Sequence, residues 1–162
     1  MKNADKLYDQ VHCRISQALT SAQTYRKRNL KSFDFVEKYV RISKDSKVVE
    51  IGPGHVLAII HVAYSCEAVA FGLITEDMKK NFTGFGIKCE SYDANIDNFQ
   101  SNLHGNFYCI LHIEVIEHLN RWPFEVLSET VKLLKPGGKI ILSTPNFVRM
   151  SNRLRPLHNF PF

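Results

Sequence analysis

A glycine pair between two apolar stretches is the part of this sequence best suited to hold a ligand. Val48-Val49-Glu50-Ile51 leads into Gly52-Pro53-Gly54, and His55-Val56-Leu57-Ala58-Ile59-Ile60-His61-Val62-Ala63 follows. The first run predicts a buried strand and the second a buried helix. Glycines in the turn let a ligand approach the main chain without meeting a Cβ. The helix start adds unpaired N–H groups and the positive end of its dipole, so an anionic group suits the site. Glu50, at the strand end, reads either as part of a ligand site or as the residue that organises the turn. A dinucleotide-type G-x-G-x-x-G would need a third glycine at position 57, which is Leu57.

The surrounding elements can be read in chain order. Residues 1 to 45 are helical and polar; Leu7, Val11, Ile15 and Leu19 form one stripe, and Phe33, Val36, Tyr39 and Val40 mark a second helix. After the glycine turn, Ala68 to Ile74 predicts a second strand, with Thr75 capping a helix that opens on Glu76 and Asp77. Phe85 to Tyr92 predicts a third strand ending at Asp93-Ala94, and Phe107 to His112 a fourth. The segment Ile113-Glu114-Val115-Ile116-Glu117-His118-Leu119 follows. A helix over Arg121 to Leu134, with Phe124, Leu127, Val131 and Leu134 on its apolar face, is expected to stop at Lys135-Pro136-Gly137-Gly138. Lys139 to Ser143 is the fifth strand, closed by Thr144-Pro145-Asn146.

Glu50-Ile51-Gly52-Pro53-Gly54 resembles the first motif of class I S-adenosyl-L-methionine (SAM) methyltransferases. Glu114-Val115-Ile116-Glu117-His118-Leu119 is similar to the segment after the fourth strand in the branch that includes the ubiquinone-biosynthesis O-methyltransferases. Leu134-Lys135-Pro136-Gly137-Gly138 with Ser143-Thr144-Pro145-Asn146 looks like the same family, so the likeness runs from about Val48 to Asn146. It implies an α/β, Rossmann-like doubly wound and mostly parallel sheet of order 3-2-1-4-5. It also implies an N-terminal helical cap (1–45), a SAM-binding core (46–146) and a C-terminal tail (147–162) too short for the family's last two strands. The tail is apolar enough to cover the fifth strand's edge or to pair with a second chain, so either a homodimer or low solubility of the chain is expected.

The resemblance implies SAM as cofactor, a small molecule as the most fitting acceptor, and a site built from Glu50, Gly52, Gly54, Leu73, Asp93, Ala94 and His112. Asp93 would face the adenine amino group, or serve as an ordinary turn aspartate. Leu73 takes the place, about 20 residues past the first glycine, where a ribose-binding acid is usual. Val56 replaces a third glycine. Glu114 and His118 are the nearest candidate bases. Glu114, Glu117 and His118 also resemble the Glu-x-x-Glu-His ligand set of small-RNA 2′-O-methyltransferases, but the further histidine of that family lacks a counterpart except His158, so no metal is assigned. A degenerate, non-catalytic domain of the same fold is the rival class.

Composition agrees with a single globular domain: 162 residues, 44% hydrophobic, net charge +5. The mild basicity, clustered at Arg26-Lys27-Arg28 and at Arg149, Arg153 and Arg155, permits nucleic acid as a partner without favouring it. Cys13, Cys66, Cys89 and Cys109 form no C-x-x-C pair, which points to a reducing, cytoplasmic setting. Neither a secretory signal nor a membrane-spanning stretch is read.

Overall fold

The computed structural model describes residues 3–15 and 22–145, with the side chains of 14, 15 and 22–24 left aside. Leu19, Asn146, His158, the basic residues Arg149, Arg153 and Arg155, and the tail expected at 147–162 lie outside the described residues. Two helices, α1 (Ala4–Ile15) and α2 (Ala22–Tyr39), precede an alternating series. That series is β1 (Lys47–Ile51), α3 (His55–Tyr64), β2 (Glu67–Gly72), α4 (Glu76–Thr83), β3 (Lys88–Ser91), β4 (Phe107–Ile113), α5 (Pro123–Lys132) and β5 (Leu134–Ser143). All pairings are parallel and the order is β3-β2-β1-β4-β5, the doubly wound arrangement expected.

Alternation along β1 divides the core. Val48 points toward Tyr8, Phe33, Val36 and the apolar face of α3, so the N-terminal helices share one core with the sheet. Val49 and Ile51 point to the opposite face, against Phe71, Tyr92, Phe99, Phe107, Val126 and Leu133. Helix α3 is buried along nearly its whole length because it lies between the sheet and α1–α2. In its last turn His61 bridges the Cys66 and Phe85 carbonyls at 2.8 Å each, tying α3 to the starts of β2 and β3. Thr75 caps α4 as expected, its hydroxyl accepting the Met78 N–H at 3.3 Å.

Several boundaries differ from the sequence expectations. β2 ends at Gly72 and β3 spans only Lys88–Ser91, because Phe85 and Gly86 complete the turn after α4. Helix α5 starts at Pro123, whose missing N–H costs nothing at a first-turn position, and it stops at Lys132. The Lys135-Pro136-Gly137-Gly138 stretch therefore does not cap the helix. It lies inside β5, where the β4–β5 register shifts and Gly137 takes φ +79°.

The buried face of α5 is also different: Val126 and Thr130 are buried, whereas Phe124 and Val131 are 72% and 52% exposed. Thr130 can be buried because its hydroxyl donates to the Val126 carbonyl at 2.8 Å. On α2, Phe33 and Val36 are buried but Tyr39 is 54% exposed. The four cysteines are free. Among the described residues no helix is long and apolar enough to cross a membrane.

Candidate functional site

The strands end nearly level. Ile51 pairs with Phe71 on one side and His112 on the other, and His112 pairs with Leu142. Strand order reverses between β1 and β4, so the crevice beyond those two ends is the position where open α/β sheets bind ligands. Gly52, Pro53 and Gly54 rise from β1 into that crevice and Glu114 from β4. Leu73 follows β2, Asp93 and Ala94 follow β3, and Ser143 ends β5.

Glu50 holds the turn together. It is fully buried, and its Oε2 accepts the N–H groups of Gly54 and Leu57, both at 3.1 Å. Burial lifts its carboxyl pKa to about 7, against the pull of those two donors and of Arg28. The helix start expected to face an outside anion is thus partly met from within: this carboxyl takes two of the α3 N-terminal donors. Glu50 is a turn organiser by this geometry, one of the two roles its position allowed.

The two glycines of the turn do different things. Gly52 has φ +68°, and an added Cβ would stand 2.4 Å from Val115 Cγ2, so backbone and packing both require it. Gly54 is extended, with φ −131°, and an added Cβ would meet only Glu50 Oε1 at 3.8 Å. A Cβ there would sit in ordinary contact, without a clash. Gly72 lies under the turn, where a Cβ would fall 2.8 Å from Pro53 Cδ.

The other sequence-predicted residues fall around this turn unevenly. Leu73 is 72% exposed one residue past β2. Asp93 is half-buried; its Oδ1 accepts from the Asn95 N–H at 2.9 Å and from Asn95 Nδ2 at 3.2 Å, an Asx turn. No hydrogen bond among the described residues reaches its Oδ2. Ala94 is buried beside it. His112 is fully buried with neither ring nitrogen hydrogen-bonded among the described residues, and burial lowers its pKa to about 4. Its imidazole lies wholly inside the fold.

Glu114 is fixed by partners that sequence spacing did not announce. It adopts φ +54°, its Oε2 lies 3.4 Å from Arg28 Nη1 on α2, and its Oε1 accepts from Ser143 Oγ at 3.1 Å. His118 sits on a 3-10 turn (Ile116–His118), is largely exposed, and has Nε2 3.8 Å from Glu117 Oε1. Glu114, Glu117 and His118 therefore do not converge: one faces Arg28 and Ser143 while another faces solvent. Among the described residues no group of three or more His, Cys, Asp or Glu is placed to hold a metal ion.

The sequence reading also missed a ring stack over the turn. His55, next to Gly54, stacks on Tyr8, and its Nε2 lies 3.4 Å from Nδ1 of His12 on α1. Burial first, then the charges of His12 and Arg28, lower the His55 pKa to about 4. Helices α1 and α2 are thereby pinned over the crevice at two points, His12–His55 and Arg28–Glu114. No motif signals either contact, since the partners are 43 and 86 residues apart.

Arg28→Met should lower stability by about 1–2 kcal/mol, less than a fully buried pair would lose because Arg28 is partly exposed. Urea unfolding of this variant, of Glu114→Gln and of the double variant checks it. The two losses should add to more than the double variant's by at least about 0.5 kcal/mol.

A cavity of about 510 Å³ lies on the sheet face that carries Val69, Phe71 and Phe107. Lys47, Glu67, Lys88 and Phe107 line it at the N-terminal ends of the strands, and Phe71, Ser91 and Tyr92 toward the C-terminal ends of β2 and β3.

Comparison with known proteins agrees with the fold. A family model described as a methyltransferase domain matches residues 22–160. The structure is similar to the PH0226 protein of Pyrococcus horikoshii, with TM-score 0.65 and 22% identity over 93% of this chain and 70% of that one. YcgJ of Bacillus subtilis gives TM-score 0.59 and 20% identity over 77% of this chain and 58% of that one. Phosphoethanolamine N-methyltransferase 1 of Haemonchus contortus, solved with phosphoethanolamine and S-adenosylhomocysteine, gives 0.61 and 14% over 87% of this chain and 32% of that one. The chain thus spans from a third to 70% of these proteins. No curated protein sequence matches it. With a family match over most of its length and the sheet order of that family, this chain belongs to the class I methyltransferase-domain family.

Proposed function

We propose that this chain binds S-adenosyl-L-methionine in the crevice between β1 and β4 and transfers its methyl group to a small-molecule acceptor. The observation that carries this is Gly54: at the head of α3, where the strand order reverses, an added Cβ would touch Glu50 Oε1 alone, at 3.8 Å, so the backbone there leaves room for a ligand. Similarity to a fold solved with S-adenosylhomocysteine supports the choice of cofactor. When bound, that cofactor supplies an electrophilic methyl group on sulfur.

The chain's own residues then have separable tasks. Gly54 admits the ligand against the backbone, Glu50 fixes the turn, and Asp93 offers its Oδ2 to a donor. Leu73 gives an apolar contact where a carboxylate would bind hydroxyls. Helices α1 and α2 screen the crevice from water. Glu114 is the nearer candidate base, held by Arg28 and Ser143; His118 is the more distant one. The apolar Leu73 favours one second reading, a non-catalytic domain that binds the cofactor weakly.

Leu73→Asp tests the site. Leu73 is exposed, so folding should be unaffected, and S-adenosylhomocysteine should bind about 10-fold tighter or better through new ribose contacts. Calorimetry on wild type and variant measures the gain. An unchanged affinity would place the ribose elsewhere.

A further inference from the structure

The net charge of this protein is concentrated in one segment. Of 21 Lys and Arg and 16 Asp and Glu, residues 22–47 hold eight and three, a surplus of five; the other thirteen cations are matched by thirteen acids. Three of the eight are used internally: Arg26 pairs with Asp5 and Asp9, Arg28 with Glu114, and Lys47 with Glu67. Lys27, Lys31, Lys38, Arg41 and Lys44 are exposed, and none forms an ion pair among the described residues.

Helical spacing gathers these charges. Lys27, Lys31 and Lys38 share the outward side of α2, with Asp34 the one acid among them. Asn29, Phe33 and Val36 occupy the opposite, buried side. Beside the lysines stand Phe35 and Tyr39, 45% and 54% exposed, with ring centroids 5.6 Å apart. Arg41 and Lys44 extend the charge past the helix end.

We propose that the outward face of α2 is a docking surface for an anionic lipid bilayer. Lysines that keep their ammonium groups in the headgroup layer beside aromatic rings that enter the interface are the chemistry of peripheral membrane helices. The face is the convex side of one helix, which meets a plane. A single-stranded nucleic acid would need flat rings free for stacking. Here the two rings are tilted by 32°, and the Lys38 ammonium lies 5.2 Å from the Tyr39 centroid.

Co-sedimentation of the full chain with vesicles tests this. Vesicles of phosphatidylcholine with about 30% phosphatidylserine should bind it at about 0.1 M salt, whereas pure phosphatidylcholine should not. Binding should fall steeply as salt rises. Lys31→Gln with Lys38→Gln should weaken it on the order of 20-fold, and Phe35→Ser about 10-fold, with circular dichroism unchanged. The wild-type salt titration needs no variant to fold. Equal binding to both vesicle types, or binding insensitive to salt, would overturn the proposal. So would tighter binding to a single-stranded oligonucleotide than to the anionic vesicles at the same salt, since the face would then serve nucleic acid.

Discussion

Gly54→Val is expected to abolish the thermal stabilisation given by S-adenosylhomocysteine while leaving the ligand-free melting temperature within a few degrees of wild type. The backbone at Gly54 is extended, which suits a β-branched residue, and an added Cβ meets only Glu50 Oε1 at 3.8 Å. Loss of glycine at the head of a helix costs about 1 kcal/mol or less. A ligand at 100 times its Kd adds about 2.7 kcal/mol, several degrees in a chain of this size. That gain should disappear in the variant.

Gly52→Ala should behave in the opposite way. The left-handed backbone costs roughly 1–2 kcal/mol and the Val115 contact about as much again, so the ligand-free protein itself should melt about 10 °C lower. Adding Val115→Ala should recover the steric share and leave the backbone share. If both glycine variants lost only ligand binding, the division of labour drawn from their geometry would be wrong.

The second large effect concerns Glu50. Its folded pKa is raised, to about 7, because burial outweighs the two N–H donors and the charge of Arg28. Below the ordinary carboxylate range both folded and unfolded chains carry the proton. Between about 4.5 and about 7 the unfolded chain releases it while the folded chain keeps it. Stability from this group is therefore full at acid pH and is lost as pH rises through that window, by about 3 kcal/mol in total.

Glu50→Gln removes the titration but keeps an oxygen for the Gly54 and Leu57 N–H groups. Relative to wild type it should gain about 3 kcal/mol between pH 5 and pH 8, measured by urea unfolding at each pH. Parallel stability curves for the two proteins would mean that Glu50 is charged in the fold throughout.

The sheet was legible because parallel strands buried on both faces leave near-continuous apolar runs, and the runs at Val48, Ala68 and Phe107 are of that kind. The glycine turn was legible because only glycine takes φ +68° at Gly52 without strain. What the sequence hid depends on contacts between distant residues. Lys135 to Gly138 has the composition of a helix stop, yet β4 pulls it into β5 after a register shift. The apolar residues of α5 suggest one face; packing selects Val126 and Thr130, with the threonine hydroxyl satisfied within the helix.

At the site, Gly52, Gly54 and Glu50 could be named from local pattern. The roles of Arg28, His12 and Val115 could not, because each is defined by a partner far along the chain. His112 shows the converse: its place at the end of β4 was readable, but full burial of its ring was not.

The most direct test of the central claim is calorimetric titration of S-adenosylhomocysteine into the wild-type chain, with NAD as the comparison ligand. One saturable site for S-adenosylhomocysteine, no binding of NAD, and loss of that site in Gly54→Val are the results expected. A cooperatively folded wild-type chain that releases no heat with S-adenosylhomocysteine, or a Gly54→Val variant that binds it as tightly as wild type, would contradict the account.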